Sequence, residues 1–285
     1  MPFVIALLAP MLWGSTYAVV SLYLADQPPL WVAVWRALPA GLLLLLLAPR
    51  RPPLPWRALC LLAFCNISAF FCLLFLAAYR LPGTVAGTLG ATLPLTLMAL
   101  SWLRYGQKPT LRLLLLALVG LAGVLLLLNP SAQLDPIGVL CALGATVLIG
   151  QSSLWMQRWQ VTDLLALTAW QLTLGGAILA PVAWLLSGPM PLPGLQALPG
   201  LGWLVLANTA LAYWAWLWAI KRLGSEVMGM LALVNPMVAV GLGTLLVGEV
   251  LNPGQWLGIA LILASLLLMK WPLSTTGQKP VKEIS

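Results

Sequence analysis

Ten runs of apolar residues, each close to the length of a bilayer crossing, divide this chain and leave little between them. They cover residues 3–24, 30–47, 56–78, 84–103, 111–128, 136–155, 164–186, 199–219, 226–247 and 255–269. An α-helix needs about 20 apolar residues to cross the hydrocarbon core, and several of these runs sit at the short end of that range. None alternates apolar with polar, as the strands of a membrane barrel must. The chain is 62% hydrophobic and only 7% charged, too few charges to cover a water-soluble domain. The expectation is therefore an all-α integral membrane protein of ten transmembrane helices. No soluble domain fits in the connections, of which the proline-rich 187–198 is the longest.

A second signal lies on top of the first. Sliding residues 59–128 by 142 positions lays them without a gap on 201–270. Asn66/Asn208, Ala77/Ala219, Arg80/Arg222, Val85/Val227, Gly87/Gly229, Pro94/Pro236, Gly106/Gly248 and Ala122/Ala264 are identical across that shift. Leucine matches carry little weight in so leucine-rich a chain, but Gly, Pro, Asn and Arg in register do. Outside this block Trp35-Arg36 corresponds to Trp170-Gln171, and Trp13-Gly14 to Ile149-Gly150. The chain thus reads as a first five-helix repeat over 1–130, a second over 131–271, and a polar tail over 272–285.

Charge sets the expected orientation. With the amino terminus in the cytoplasm, Arg50, Arg51, Arg57, Arg104, Lys108, Arg112, Arg158, Lys221, Arg222, Lys270, Lys279 and Lys282 fall inside. Only Arg80 and Arg36 fall outside, a strong positive-inside bias. Both termini and the tail are then cytoplasmic. Five spans per repeat is an odd number, so the second repeat enters from the opposite face and the two are inverted. Such repeats supply two near-equivalent conformations and place the substrate between the halves. The amino terminus lacks a basic leader and is read as a retained first span.

Several chemistries are disfavoured. Histidine is absent, which removes imidazole ligands and His-based triads. Cys60, Cys65, Cys72 and Cys141 lie in apolar runs without a CxxC pair, so no metal site or cofactor is expected. No nucleophile–base constellation points to an enzyme. The net charge of +8 is assigned to membrane orientation rather than to nucleic acid. The expected partners are the lipid bilayer and a small-molecule substrate, with the protein a monomer or homodimer.

Trp13-Gly14, Arg36, Pro236, Gly248-Glu249 and Gln255-xx-Gly258, set in two five-span halves, resemble the EamA-type repeat of the drug/metabolite transporter superfamily. Gly106-Gln107 departs from the Gly-Glu that the pattern often carries. The resemblance implies an inner-membrane transporter, most similar to members that export amino acids and related metabolites. A multidrug or nucleobase exporter is the alternative within the superfamily.

The candidate substrate-binding residues are polar or aromatic groups placed within spans. Asn66 and Asn208 sit near mid-span, where an amide must find partners in the protein or a wet cavity. Tyr17, Gln151 and Gln171 join them. Tyr213 and Trp214 lie deep enough in the eighth span to wall a pocket. Arg36 lies about 9 Å into its span, counted from Leu30, and either meets a substrate carboxylate or snorkels to the surface. Pro94 and Pro236 read as mid-helix kinks, and with Trp13 and Ser15 they are candidates for hinge or cavity-lining positions. The orientation is testable by thiol labelling in a background without the native cysteines. Cysteines at residues 27–29 and 133 should react with an impermeant reagent from the periplasm, and those at 50–53 and beyond 274 should not.

Overall fold

The computed structural model describes residues 2–81, 83–129, 135–247 and 251–270, and these form helices joined by turns and short connections, with no strand among them. The order is α1 (Pro2–Gly14), α2 (Thr16–Tyr23), α3 (Pro29–Leu47), α4 (Trp56–Ala63), α5 (Phe70–Arg80), α6 (Gly83–Gly90), α7 (Leu93–Tyr105) and α8 (Leu111–Leu128). Then come α9 (Pro136–Trp159), α10 (Leu164–Ser187), α11 (Leu198–Val205), α12 (Ala212–Leu223), α13 (Ser225–Leu231), α14 (Val234–Val247) and α15 (Pro253–Lys270). Among the described residues, nine helical stretches are long and apolar enough to cross a membrane, and the tenth, Pro253–Met269, is shorter. The protein is a multi-pass membrane protein.

Three expected spans are not single helices. The first breaks at Ser15 between α1 and α2, the fourth at Ala91-Thr92 between α6 and α7, and the ninth at Ala232-Leu233 between α13 and α14. Pro94 and Pro236 therefore do not kink continuous helices, as the sequence suggested. Each sits in the first turn of a new helix, where a missing N–H costs no ladder bond. In lipid the carbonyls freed at a break still need donors. Ser15 Oγ donates to the Leu12 carbonyl and Thr92 Oγ1 to that of Leu89, each at 2.6 Å.

Two further spans hold a feature that no periodicity announces. Residues Phe64–Ala69 and Leu206–Leu211 are π-helical turns, joining α4 to α5 and α11 to α12. They stand 142 positions apart and each contains one of the paired asparagines. A π-turn widens the helix locally and is found disproportionately at functional sites.

Glycines set the closest helix contacts. α3 packs along α10, where a Cβ on Gly41 would lie 2.4 Å from the Thr173 nitrogen and one on Gly176 2.9 Å from that of Leu38. α8 packs along α15 through Gly123 and Gly258, whose added Cβ atoms would meet the carbonyl oxygen of the other glycine at 2.7 and 2.6 Å. Small residues let backbones approach this closely, which is the main source of helix association in lipid. α15 opens with a reciprocal cap: Gln255 Oε1 accepts from the Asn252 N–H at 3.0 Å, and Asn252 Oδ1 from that of Gln255 at 2.9 Å. The Gln255-xx-Gly258 motif is thus accounted for by capping and close packing.

The end of the bundle at which α1 begins differs from the far end. At the amino-terminal end one continuous apolar cluster joins Ala6, Leu59, Leu97, Leu154, Leu167 and Met228, from six different spans. At the far end the apolar packing is divided. Leu24, Val32 and Leu201 form one cluster, Ala77, Val85 and Ala142 another, and Leu30, Phe71, Leu179 and Tyr213 belong to a third that joins four spans. Polar links occur at both ends: Ser225 N and Oγ both donate to Gln157 Oε1, at 2.9 and 2.5 Å, at the amino-terminal end, and at the far end Arg80 pairs with Asp135 and the Trp31 indole donates to the Gly188 carbonyl.

The glycine contacts predict a sharp contrast in thermal stability. Gly41→Val, forced against the α10 backbone, should lower the melting temperature of the purified protein by several degrees or prevent recovery, since overpacking costs about 1–3 kcal/mol. Gly202→Ala, with nothing within 4 Å of the new methyl, should melt as wild type does.

Candidate functional site

The π-turn at Leu206–Leu211 presents Asn208 to three neighbouring helices. Its Nδ2 donates to the Leu12 carbonyl at 2.6 Å, and its Oδ1 accepts from Thr16 Oγ1 at 3.2 Å and from Arg36 Nη2 at 2.8 Å. Its backbone carbonyl receives the Trp13 indole N–H at 3.0 Å. One amide therefore joins the break between α1 and α2, the middle of α3, and the eighth span. Ser15, at that break, also accepts the Trp203 indole N–H at 2.9 Å.

Arg36 turns inward and is 5% exposed, which excludes snorkelling. Its Nε donates to Thr209 Oγ1 at 3.0 Å, and its Cζ stands 5.0 Å from the centre of the Phe71 ring. The two ion pairs among the described residues are Arg50–Asp163 and Arg80–Asp135, both at the surface. Each of those carboxyl groups also caps a helix. Asp135 is held below its ordinary range chiefly by the Gly138 N–H, and Asp163 chiefly by Arg50. Arg36 thus keeps a buried positive charge among neutral acceptors.

The other asparagine has a simpler environment. Asn66 Nδ2 donates to Gln171 Oε1 at 2.9 Å, and both residues are buried. Gln171 occupies the repeat position of Arg36, and Asn66 that of Asn208. The two pairs are therefore counterparts, one charged and one neutral. The two asparagines do not bond to each other; each is held within its own group.

Around the charged pair lie aromatic rings. Trp13 meets Tyr213 edge-on with centres 5.4 Å apart and lies 5.1 Å from Trp216. Tyr213 is buried, Trp214 is half-buried, and Trp216, passed over by sequence reasoning, is almost completely enclosed. Gln151 is buried and its Nε2 donates to the Tyr105 hydroxyl at 3.4 Å, away from Arg36. The side chain of Tyr17, residues Gly248 and Glu249, and the tail from 271 lie outside the described residues. Among the described residues no cluster of His, Cys, Asp or Glu could hold a metal ion.

Known proteins place this arrangement. The EamA-like transporter family profile matches residues 1–129 and again 136–271. The chain belongs to the EamA-like transporter family. It is 34% identical over 285 residues to Protein PecM of Dickeya dadantii, covering 98% of this chain and 95% of that protein. It is 29% identical to the uncharacterized inner membrane transporter YedA of Escherichia coli K12, over 95% and 91% of the two chains. The uncharacterized transporter YwfM of Bacillus subtilis is 28% identical over 92% and 91%. A solved crystal structure superposes with a TM-score of 0.82 at 20% identity, over 94% of this chain and 96% of that one, and so shares the fold. As a member of the EamA family, the protein is a membrane transporter.

The contrast between the two pairs sets a measurable difference. Asn208→Leu removes the side-chain acceptor of a buried guanidinium, and a hydrogen bond to a charged group contributes about 1.5–3 kcal/mol. Asn66→Leu removes a neutral amide pair, worth about 1 kcal/mol within a membrane. Melting curves of the purified variants should show the larger loss for Asn208→Leu, and Arg36→Gln should restore part of it in the double variant.

Proposed function

We propose that the protein exports small metabolites, amino acids foremost, across the bacterial inner membrane by alternating access. In this reading the two five-helix repeats are inverted and both termini are cytoplasmic. Arg36 receives the substrate carboxylate. The observation that carries the proposal is the buried guanidinium with neutral protein partners. A cation kept in a membrane interior is costly and marks a substrate or ion path. A planar guanidinium is suited to a carboxylate, which accepts two parallel N–H bonds from it. The Asn208 amide and Thr16 hydroxyl stand beside it to receive the rest of a polar headgroup, and Trp13 and Tyr213 supply apolar walls. A fixed positive charge at this position disfavours cationic drugs as substrates.

The packing supports the inverted arrangement. α3 meets the π-turn of the eighth span while α10 meets that of the third, and α3 and α10 cross through Gly41 and Gly176, which are themselves repeat counterparts. Around that antiparallel crossing Arg36 and Gln171 lie at levels about seven residues apart, or about 10 Å at 1.5 Å per residue. A free amino acid does not bridge that distance between its carboxylate and ammonium, so the charged group alone is assigned the carboxylate. The asparagines then serve successive positions of the substrate rather than its two ends at once.

The test uses Arg36→Gln, the residue that the second repeat already carries at this position. Purified protein in liposomes is assayed for transport of phenylalanine and of phenylalanine amide. A charge-assisted hydrogen bond contributes about 1.5–3 kcal/mol, or about a tenfold to hundredfold effect. Transport of the acid should fall by at least tenfold, while that of the amide, which keeps the ammonium and lacks the carboxylate, should hold or rise. Equal loss for both, in a variant that expresses and melts normally, would reject the carboxylate role.

A further inference from the structure

Four buried side-chain atoms are without a hydrogen-bond partner among the described residues: Gln151 Oε1, Ser152 Oγ, Gln171 Nε2 and Trp216 Nε1. Their residues are 5%, 0%, 0% and 1% exposed. All four belong to α9, α10 and α12, and all lie toward the amino-terminal end of the bundle, on the same side as Tyr105 and the Ser225–Gln157 link. Among the described residues the buried polar groups of the far half are satisfied, and Ser15, Thr16, Asn208 and Arg36 form one connected network. A buried polar atom with no partner costs about 1–3 kcal/mol, so four gathered in one region require an explanation.

The surroundings supply one. Beyond these residues, at the amino-terminal surface, lies a small recess of about 220 Å³ lined by Gln107, Leu154, Gln157, Arg158 and Gln160. It is smaller than the 300–1,000 Å³ typical of ligand pockets. Leu154, one helical turn from Gln151 and 4% exposed, closes its inner wall. The repeat adds an independent point. Gln151-Ser152-Ser153 corresponds to Ser15-Thr16-Tyr17, and Gln171 to Arg36, so two of the counterparts, Thr16 and Arg36, belong to the charged site.

We infer that Gln151, Ser152, Gln171 and Trp216 line the amino-terminal half of the transport path, shut in this conformation, and contact polar substrate when it opens. The inference rests on the alternating-access reading above. The indole and amide N–H groups offer donors, and Gln151 Oε1 an acceptor, so the path suits an uncharged or zwitterionic polar solute. The four groups carry no charge themselves, unlike Arg36, and the cation on this side, Arg158, stands farther out at the recess. Opening wets or fills the four unsatisfied groups, and closing strands them. The two conformations therefore differ in polar satisfaction as well as in apolar contact. Leu154 and the Ser225–Gln157 link hold this half closed.

The test measures reactivity, with no substrate required. In a cysteine-free background, Ser152→Cys and Ser265→Cys are compared, each near-isosteric and each at 0% exposure in the native residue. Ser265 differs in that its hydroxyl donates to the Ile262 carbonyl, within the α8–α15 contact. An impermeant maleimide is added from the amino-terminal side, with and without Gln157→Ala, which removes the clamp on α13. Ser15→Cys is labelled from the far side in parallel. Ser152→Cys should react at least tenfold faster when Gln157→Ala is present, Ser265→Cys should remain protected, and Ser15→Cys should slow. If Ser15→Cys slows and Ser152→Cys stays protected, alternation stands and the path runs elsewhere, which overturns the inference. If neither rate changes, the alternating-access reading falls and the inference with it. Should Ser152→Cys not be recovered folded, Gln151→Cys is read in the same way.

Discussion

The hydrogen bond from Arg36 to Asn208 is the interaction around which the rest of this bundle is arranged. A guanidinium inside a membrane protein needs acceptors within reach, since lipid offers none. Supplying them fixes three elements at once. α3 must deliver the arginine, the π-turn at Leu206–Leu211 must turn Asn208 and Thr209 toward it, and α1 must end early enough for Leu12 and Thr16 to hold the same amide. Each irregularity of the helices near the site has a polar group that needs it. The break at Ser15 exposes a carbonyl that Asn208 Nδ2 and Ser15 Oγ both use. The π-turn leaves Asn208's carbonyl facing the Trp13 indole.

The two repeats show how little change is needed to make one site charged and its counterpart neutral. Arg36 is replaced by Gln171, and Thr209, which accepts from Arg36 Nε, by Ile67. Ile67 packs instead against Gly175, where any added Cβ would lie 2.4 Å away. The second acceptor is thus absent where the second donor is absent, and the space is filled by a methyl branch. The π-turn and its asparagine are common to both, so these belong to the architecture of the repeat, and the charge belongs to one site only.

Much of the fold was legible because lipid imposes a simple rule on sequence: apolar runs of sufficient length are helices. The paired Asn, Pro and Gly residues revealed the repeat and the register of both sites. What the sequence hid has physical causes. A π-turn leaves no mark in a run that is apolar on every face, since periodicity has nothing to alternate with. Pro94 and Pro236 signalled an interruption, but a kink and a true break share that signal, and the hydroxyl of Thr92 decides in the fourth span by satisfying the Leu89 carbonyl. Trp216 resembled its neighbours in a tryptophan-rich span; only tertiary packing separates the half-buried Trp214 from the enclosed Trp216. The partners of Asn66 and Asn208 lie more than a hundred residues away, beyond any local pattern.

The distribution of tight and loose packing limits where motion can occur. α3 with α10, and α8 with α15, approach so closely at their glycines that sliding one past the other would bring backbone against backbone. These pairs are unbroken helices, suited to act as fixed ribs. The first, fourth and ninth spans are all divided near their middles, and their far-end segments α2, α6 and α14 contribute few buried side chains. A helix interrupted in this way turns one half against the other more easily than an intact one, because the regular ladder gives way there to shorter bonds such as Ser15 N–H to the Leu12 carbonyl and Asn235 N–H to that of Ala232. Rearrangement is therefore cheapest in the divided spans. The first of them carries Trp13, Ser15 and Thr16, so any turn of α1 against α2 acts directly on the groups that hold Asn208 and, through it, Arg36.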